Sequence, residues 1–175
     1  MRGAAASFMA GPPLRTALSG AGHPVWDYPV PTMKLLLVAL DASQRAPKVL
    51  ETAVDLAKRT GAKLRLVRAV GLPPEIPMSP FGVTPEGFLQ MLIDEGKQQV
   101  QKIADGVPPE LLDGVDTRVG TPWAAICEAA KESHADLIIV GSHGYGGIDR
   151  LLGTTAAKVV NHAECSVLVA RNLHV

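Results

Sequence analysis

The stretch "LIIVGSHGYGGIDRLLGTTAAKVV", Leu137 to Val160, decides how the chain is read, because it passes from an apolar run to a helix-period run through a glycine-rich loop. "LIIV" is short and wholly apolar, as a strand covered on both faces should be. "TTAAKVV" opens a helix. The loop between them contains Gly141, Gly144, Gly146 and Gly147, and Gly153 leads into the helix. A strand, loop and helix in this order form the unit from which parallel α/β sheets are built.

The same grammar extends outward in both directions. Strands are expected at Leu35 to Leu40, Lys63 to Val70, Gly114 to Gly120, Asp136 to Gly141 and Ser166 to Ala170. Helices are expected at Ala46 to Thr60, Pro85 to about Ala104, Pro122 to Ser133 and Thr154 to Ala163. Ser43 is placed to cap the first helix and Gly61 to end it. Thr84 with Pro85, and Thr121 with Pro122, give the cap-then-proline order of helix starts.

Composition agrees with this class. The chain has 175 residues, close to one domain at about 150 residues each. Aromatic residues are only 4% of the chain against 47% apolar overall, so the core must be aliphatic. Lysine plus arginine balances aspartate plus glutamate, 17 against 17, so bulk charge draws the protein neither to nucleic acid nor to anionic lipid. Cys127 and Cys165 are far apart and neither lies in a Cys-x-x-Cys pair, which points away from a disulfide scaffold or structural zinc. No apolar run reaches the roughly 18 residues of a spanning helix, so no membrane partner is expected. A cytoplasmic setting is the default.

Residues 1 to 32 are rich in Gly, Pro, Ala and Ser and lack a periodic apolar face, so they read as a disordered or loosely attached extension. They also lack the continuous apolar segment of a secretory signal. Met33 is an alternative start. From Gly71 to Pro85 the chain is proline-rich, and both a lid over the sheet's carboxyl edge and a tolerated insertion remain open.

The loop after Val140 carries the chemistry. A helix start exposes unpaired amides and a partial positive charge, and an anion fits there. The phosphate loop of Walker type needs Gly-Lys-Ser/Thr, yet Gly153 is followed directly by Thr154. The dinucleotide fingerprint also fails, since Asp149 stands where its third glycine belongs.

What does match resembles the universal stress protein family in its ATP-binding branch. The pattern is Gly141-Ser142-His143-Gly144, then eight residues, then Gly153-Thr154, one residue shorter than the family's spacing. "LLLVALDAS", "GTPWAAICEAAKESHADLIIVGSHG" and "HAECSVLVAR" resemble the family's first strand, third helix with fourth strand, and closing strand. The likeness spans nearly all of residues 33 to 175. It implies an open five-stranded parallel sheet of Rossmann-like type, strand order 3-2-1-4-5, with helices on both faces.

The resemblance also implies a site. Asp41 would meet the ribose, Ala69 and Val70 would border adenine, and Val140 and Gly141 would flank the nucleoside. Gly144, Gly153, Thr154 and Thr155 would surround the phosphates of ATP, with Mg²⁺ as a companion ion. Arg150 and Lys158 rank lower, as screens of phosphate charge. A homodimer formed through the last strand "SVLVA" is implied as well, with a protein partner that the sequence does not name.

Plainer readings stand beside these. Asp41 could be only a turn residue, and His143 a solvated loop histidine with no nucleophile or acid at motif spacing. His162 and Cys165 make half of a metal site with no second half in sight. No catalytic residue is assigned, so enzyme activity is expected to be at most weak ATP hydrolysis. Three functions therefore stay open: a nucleotide-binding regulatory module, a slow ATP hydrolase or phosphotransferase, and a dimeric interaction module with an empty cleft.

Overall fold

The computed structural model describes residues 16–18, 24–26, 32–72, 84–142 and 152–171. The chain divides into two units, Met1–Pro31 and Thr32–Val175. In the first, β1 (Thr16–Leu18) and β2 (Pro24–Trp26) pair antiparallel, where the sequence pattern assigns no regular element. The connection between Gly71 and Pro85 falls mostly outside the described residues, as do His143, Gly144 and Arg150.

The second unit alternates strand and helix. Its strands are β3 (Leu35–Leu40), β4 (Lys63–Val70), β5 (Leu112–Val119), β6 (Leu137–Gly141) and β7 (Ser166–Ala170). Its helices are α1 (Ala46–Thr60), α2 (Pro85–Ala104), α3 (Pro122–Glu132) and α4 (Thr154–His162). The five strands form one sheet in the order β5-β4-β3-β6-β7, and every neighbouring pair is parallel. Counted along this sheet alone, the order is 3-2-1-4-5, as expected.

The central strand explains the apolar runs. Leu36, Val38 and Leu40 of β3 face one side with Val49, Ala53 and Ala57 of α1 and Val100 and Ala104 of α2. Leu37 and Ala39 face the other, with Ile126, Ala129 and Ala130 of α3 and Ala156 and Val159 of α4. A strand sandwiched in this way has no polar face to alternate with. Small alanines on the helices let them lie close to the sheet, which is why so few aromatics suffice.

Three local expectations are corrected. The third expected strand begins at Leu112 and not Gly114: the register shifts between Leu64 and Arg65, so that Leu64 pairs with Leu112 but Arg65 with Gly114. Asp113 is the extra residue of this bulge, and its carboxylate holds the Arg65 guanidinium at 2.5 Å, which conceals the strand's alternation. Ser43 does not cap α1; Arg45 occupies that position. The Ser43 hydroxyl donates to Asp41 Oδ1 at 2.6 Å and accepts from the Arg45 amide at 3.3 Å, forming a turn before the helix. Thr121 precedes α3 without a side-chain cap bond, whereas Thr84 does accept from the Gly87 amide at 3.1 Å.

Two features of the frame yield predictions. A Cβ on Gly96 of α2 would stand 2.8 Å from Val70 Cγ2 and 3.1 Å from Thr117 Cγ2, so glycine permits α2 to close on β4 and β5. Alanine adds about 1 kcal/mol of helix propensity, but overpacking against a stiff β-branched side chain costs roughly 1–3 kcal/mol. Gly96→Ala is therefore expected to lower stability by about 1 kcal/mol net, read as a lower urea midpoint at unchanged slope.

Asp136, just before β6, accepts from the amides of Leu35 at 3.0 Å and Lys34 at 2.6 Å, tying the start of β6 to that of β3. The Leu35 bond first, then the Lys34 bond, hold its carboxyl below the ordinary range. A depressed folded-state value gives stability that is present above the unfolded value, about pH 4, and lost as pH falls through the folded one. Asp136→Asn should accordingly flatten the acid limb of stability against pH, measured by denaturant titration between neutral and strongly acid buffers. An acid limb identical to that of the parent chain would remove this role.

Candidate nucleotide site

The sheet brings β3 and β6 side by side while their following helices diverge, α1 to one face and α4 to the other. A crevice must open at their carboxyl ends, where open α/β sheets take their ligands. A cavity of ≈ 350 Å³ lies there, within the roughly 300–1,000 Å³ of small-molecule pockets.

Its floor and walls follow from strand periodicity. Ala39, Ala69 and Val140 supply apolar surface on the α3 and α4 side, joined by Pro122 and Ile126 of α3. Gly141 lines the cavity opposite Val49, whose Cγ2 would stand 3.2 Å from an added Cβ. Any side chain at this position would press on α1 or fill the opening.

Polar groups gather at the rim. Asp41, one residue beyond β3, has Oδ1 held by the Ser43 hydroxyl at 2.6 Å and the Ser43 amide at 3.1 Å. This short turn orients the carboxylate. Arg45 and Arg171 also line the cavity, and Asp41 is the one carboxylate among the described lining residues.

The mouth of α4 supplies the rest. Gly153 is its N-cap, and the Gly153 amide donates to the Ser142 carbonyl at 2.7 Å while the Ser142 amide donates to Ala170 at 2.9 Å. The helix is thus sutured to the ends of β6 and β7. Because Gly153 has already spent its own amide, the open donors narrow to those of Thr154, Thr155 and Ala156, the first helical residues, which have no carbonyl one turn earlier to bond. All three residues line the cavity.

The structure therefore brings Asp41, Ala69, Val140, Gly141, Gly153, Thr154 and Thr155 to one cavity. Gly144 lies outside the described residues. Val70 does not line the cavity: successive strand residues face opposite sides, and where Ala69 faces the cavity Val70 packs under α2 near Gly96. Lys158 is directed elsewhere, with its ammonium 5.7 Å from the Trp123 ring. The sequence pattern assigns Ser43 to a helix cap and gives Arg45 and Arg171 no role, yet all three line the cavity. Ser43 carried a signal, two residues after an aspartate at a strand end; Arg171 reaches the site only because β7 lies beside β6.

Away from this cavity, His162 Nδ1 meets the Lys158 carbonyl at 2.8 Å and its ring lies 4.5 Å from that of Trp123. Among the described residues no group of three or more His, Cys, Asp or Glu could hold a metal ion. No described helix is long and apolar enough to cross a membrane.

The sequence profile of the Universal stress protein family matches residues 33–171. Universal stress protein A homolog 2 of Coxiella burnetii (strain RSA 493 / Nine Mile phase I) is 36% identical over 138 residues, covering 78% of this chain and 92% of the relative. Among solved structures, universal stress protein UspA from Lactobacillus plantarum superposes with a TM-score of 0.60 at 28% identity, over 79% of this chain and 98% of its own. A universal stress protein solved in complex with cAMP superposes with a TM-score of 0.52 at 25% identity, over 80% of this chain and 98% of its own.

Proposed function

We propose, on the premise that this chain belongs to the universal stress protein family, that it binds an adenine nucleotide, ATP foremost, in the cavity between β3 and β6. The observation that carries the proposal is the meeting of a carboxylate, an apolar floor and an open helix mouth around one cavity. Asp41 would accept from ribose hydroxyls, a charge-assisted contact. Ala69 and Val140 would flank the flat base. The amides of Thr154, Thr155 and Ala156 would hold the phosphates, with Arg171 screening their charge. The relative solved with cAMP supports an adenine nucleotide as the class of ligand.

With Asp41 the one carboxylate among the described lining residues, Mg²⁺ would be carried mostly by phosphate oxygens and water. Efficient phosphoryl transfer requires a positioned base and a cation on the leaving group. Binding with at most slow hydrolysis is proposed, with Asp41 assigned to the ribose and not to a base.

The regulatory part of the proposal rests on β7. Among the described residues it is an edge strand, bonded to β6 alone, and its middle residues Val167, Leu168 and Val169 are half-buried. Pairing with a second copy would cover that edge. The resulting dimer would report nucleotide occupancy to a protein partner in the stress response.

Calorimetric titration of the full chain with ATP, ADP and AMP, with and without Mg²⁺, tests the binding claim, and phosphate release in the same samples tests turnover. Saturable heat with ATP and negligible phosphate release are expected. Absence of heat with all three nucleotides at high micromolar protein would leave the interaction module without a ligand as the surviving reading.

A further inference from the structure

The two cysteines, 38 positions apart in the chain, come to the same place on the far side of α3 from the sheet's carboxyl edge. Cys127, Ala130, Lys131 and His134 follow one another at helical spacing along and just past α3, and all line a second cavity of ≈ 340 Å³. Glu164 and Cys165, from the three-residue connection between α4 and β7, line it from the other side. Lys131 and Glu164 bridge the two walls at 2.6 Å. Cys127 lies one turn before Lys131 and Cys165 directly follows Glu164, so this exposed ion pair marks the segments that carry the thiols as neighbours. Both cysteines are free and half-buried, and both pack against the cluster of Ala130, Ala135 and Ile138.

We infer that Cys127 and Cys165 form an intrachain disulfide by exchange with a low-molecular-weight disulfide, making this pocket a thiol redox site. In the first step the Cys165 thiolate attacks one sulfur of the small disulfide. A mixed disulfide forms, the small S–S bond breaks, and the departing thiolate takes up the proton that Cys165 gave away. In the second step the Cys127 thiolate attacks Cys165 Sγ, and the second small thiolate leaves with the proton from Cys127. One small disulfide is reduced to two thiols as the protein dithiol is oxidised.

The order of attack follows from the surroundings. Burial pushes the Cys165 thiol up, its own amide and that of Ile138 oppose this by hydrogen bonding to the sulfur, and the carboxylates of Asp136 and Glu164 raise it further. Burial also pushes Cys127 up, and the neighbouring Cys165 adds to it, with no opposing amide. Of the two, only Cys165 has amide donors at its sulfur, and it is assigned the first attack. Both thiols are raised, so little thiolate is present at neutral pH and slow exchange is expected. The site behaves as a slow lock joining α3 to the approach to β7.

Incubating the native full chain with glutathione disulfide, then mapping tryptic peptides without reduction, tests this. The expected product is a monomeric chain in which peptide 119–131 is joined to peptide 159–171, with the free-thiol count falling from two to none and returning on reduction. Cys127→Ser should accumulate a single glutathione adduct on Cys165. Two free thiols after prolonged oxidation, glutathione on both cysteines with no joined peptide, or linkage only between chains would each overturn the inference.

Discussion

Alanine at Asp41 is expected to weaken ATP binding roughly 10- to 100-fold, since a charge-assisted hydrogen bond contributes about 1.5–3 kcal/mol and each 1.4 kcal/mol is tenfold. The residue is exposed, and its carboxylate accepts from the hydroxyl and amide of Ser43 two residues on. Losing that turn should cost the fold little, on the order of 1 kcal/mol as for a lost helix cap. Affinity and stability therefore separate in this variant. Calorimetry on Asp41→Ala beside its urea midpoint reads both; an unchanged ATP affinity would take the carboxylate out of the site, and a collapse of the fold would show the turn to be structural first.

The second large effect belongs to the core. Ile139 of β6 is fully buried and packs with Val38 of β3 and with Val49 and Ala53 of α1. Ile139→Ala leaves a void in a close-packed sandwich and should cost about 2–5 kcal/mol, out of a total of roughly 5–15 kcal/mol. For a domain of this size the melting temperature should fall by roughly 10 °C. Because β6 also carries Val140 and Gly141 to the cavity, the same change should loosen the site. A melting temperature within about a degree of the parent would mean that the void closes by rearrangement, contrary to the tight packing described.

The strands that the sequence made plain are those buried on both faces. β3 and β6 read as unbroken apolar runs because helices cover both sides of them. The start of β5 was hidden because Asp113 and Gly114 look like a turn, when Asp113 is a bulge residue paired with Arg65. Capping was legible at Thr84 but not at Thr121 or Ser43, because a hydroxyl's partner depends on the path of the preceding backbone. At the site, Asp41, Gly141 and the threonines of α4 were legible from their positions at element ends. Ala69 and Val70 could be separated only once the face of β4 was assigned. Arg171 required knowledge of which strands are neighbours, and the convergence of Cys127 with Cys165 required the packing of α3 against the last connection, which no local pattern encodes.

In the proposed complex a nucleotide seats its phosphates on the open amides of α4 while its sugar meets the end of β3. The most direct measurement is a titration of isotopically labelled full chain with ATP, following the backbone amide resonances. The largest shifts are expected at Thr154, Thr155 and Ala156, with a second group at Leu40, Asp41 and Gly141, all saturating together. Saturable shifts confined to other surfaces, with those amides unmoved, would contradict it.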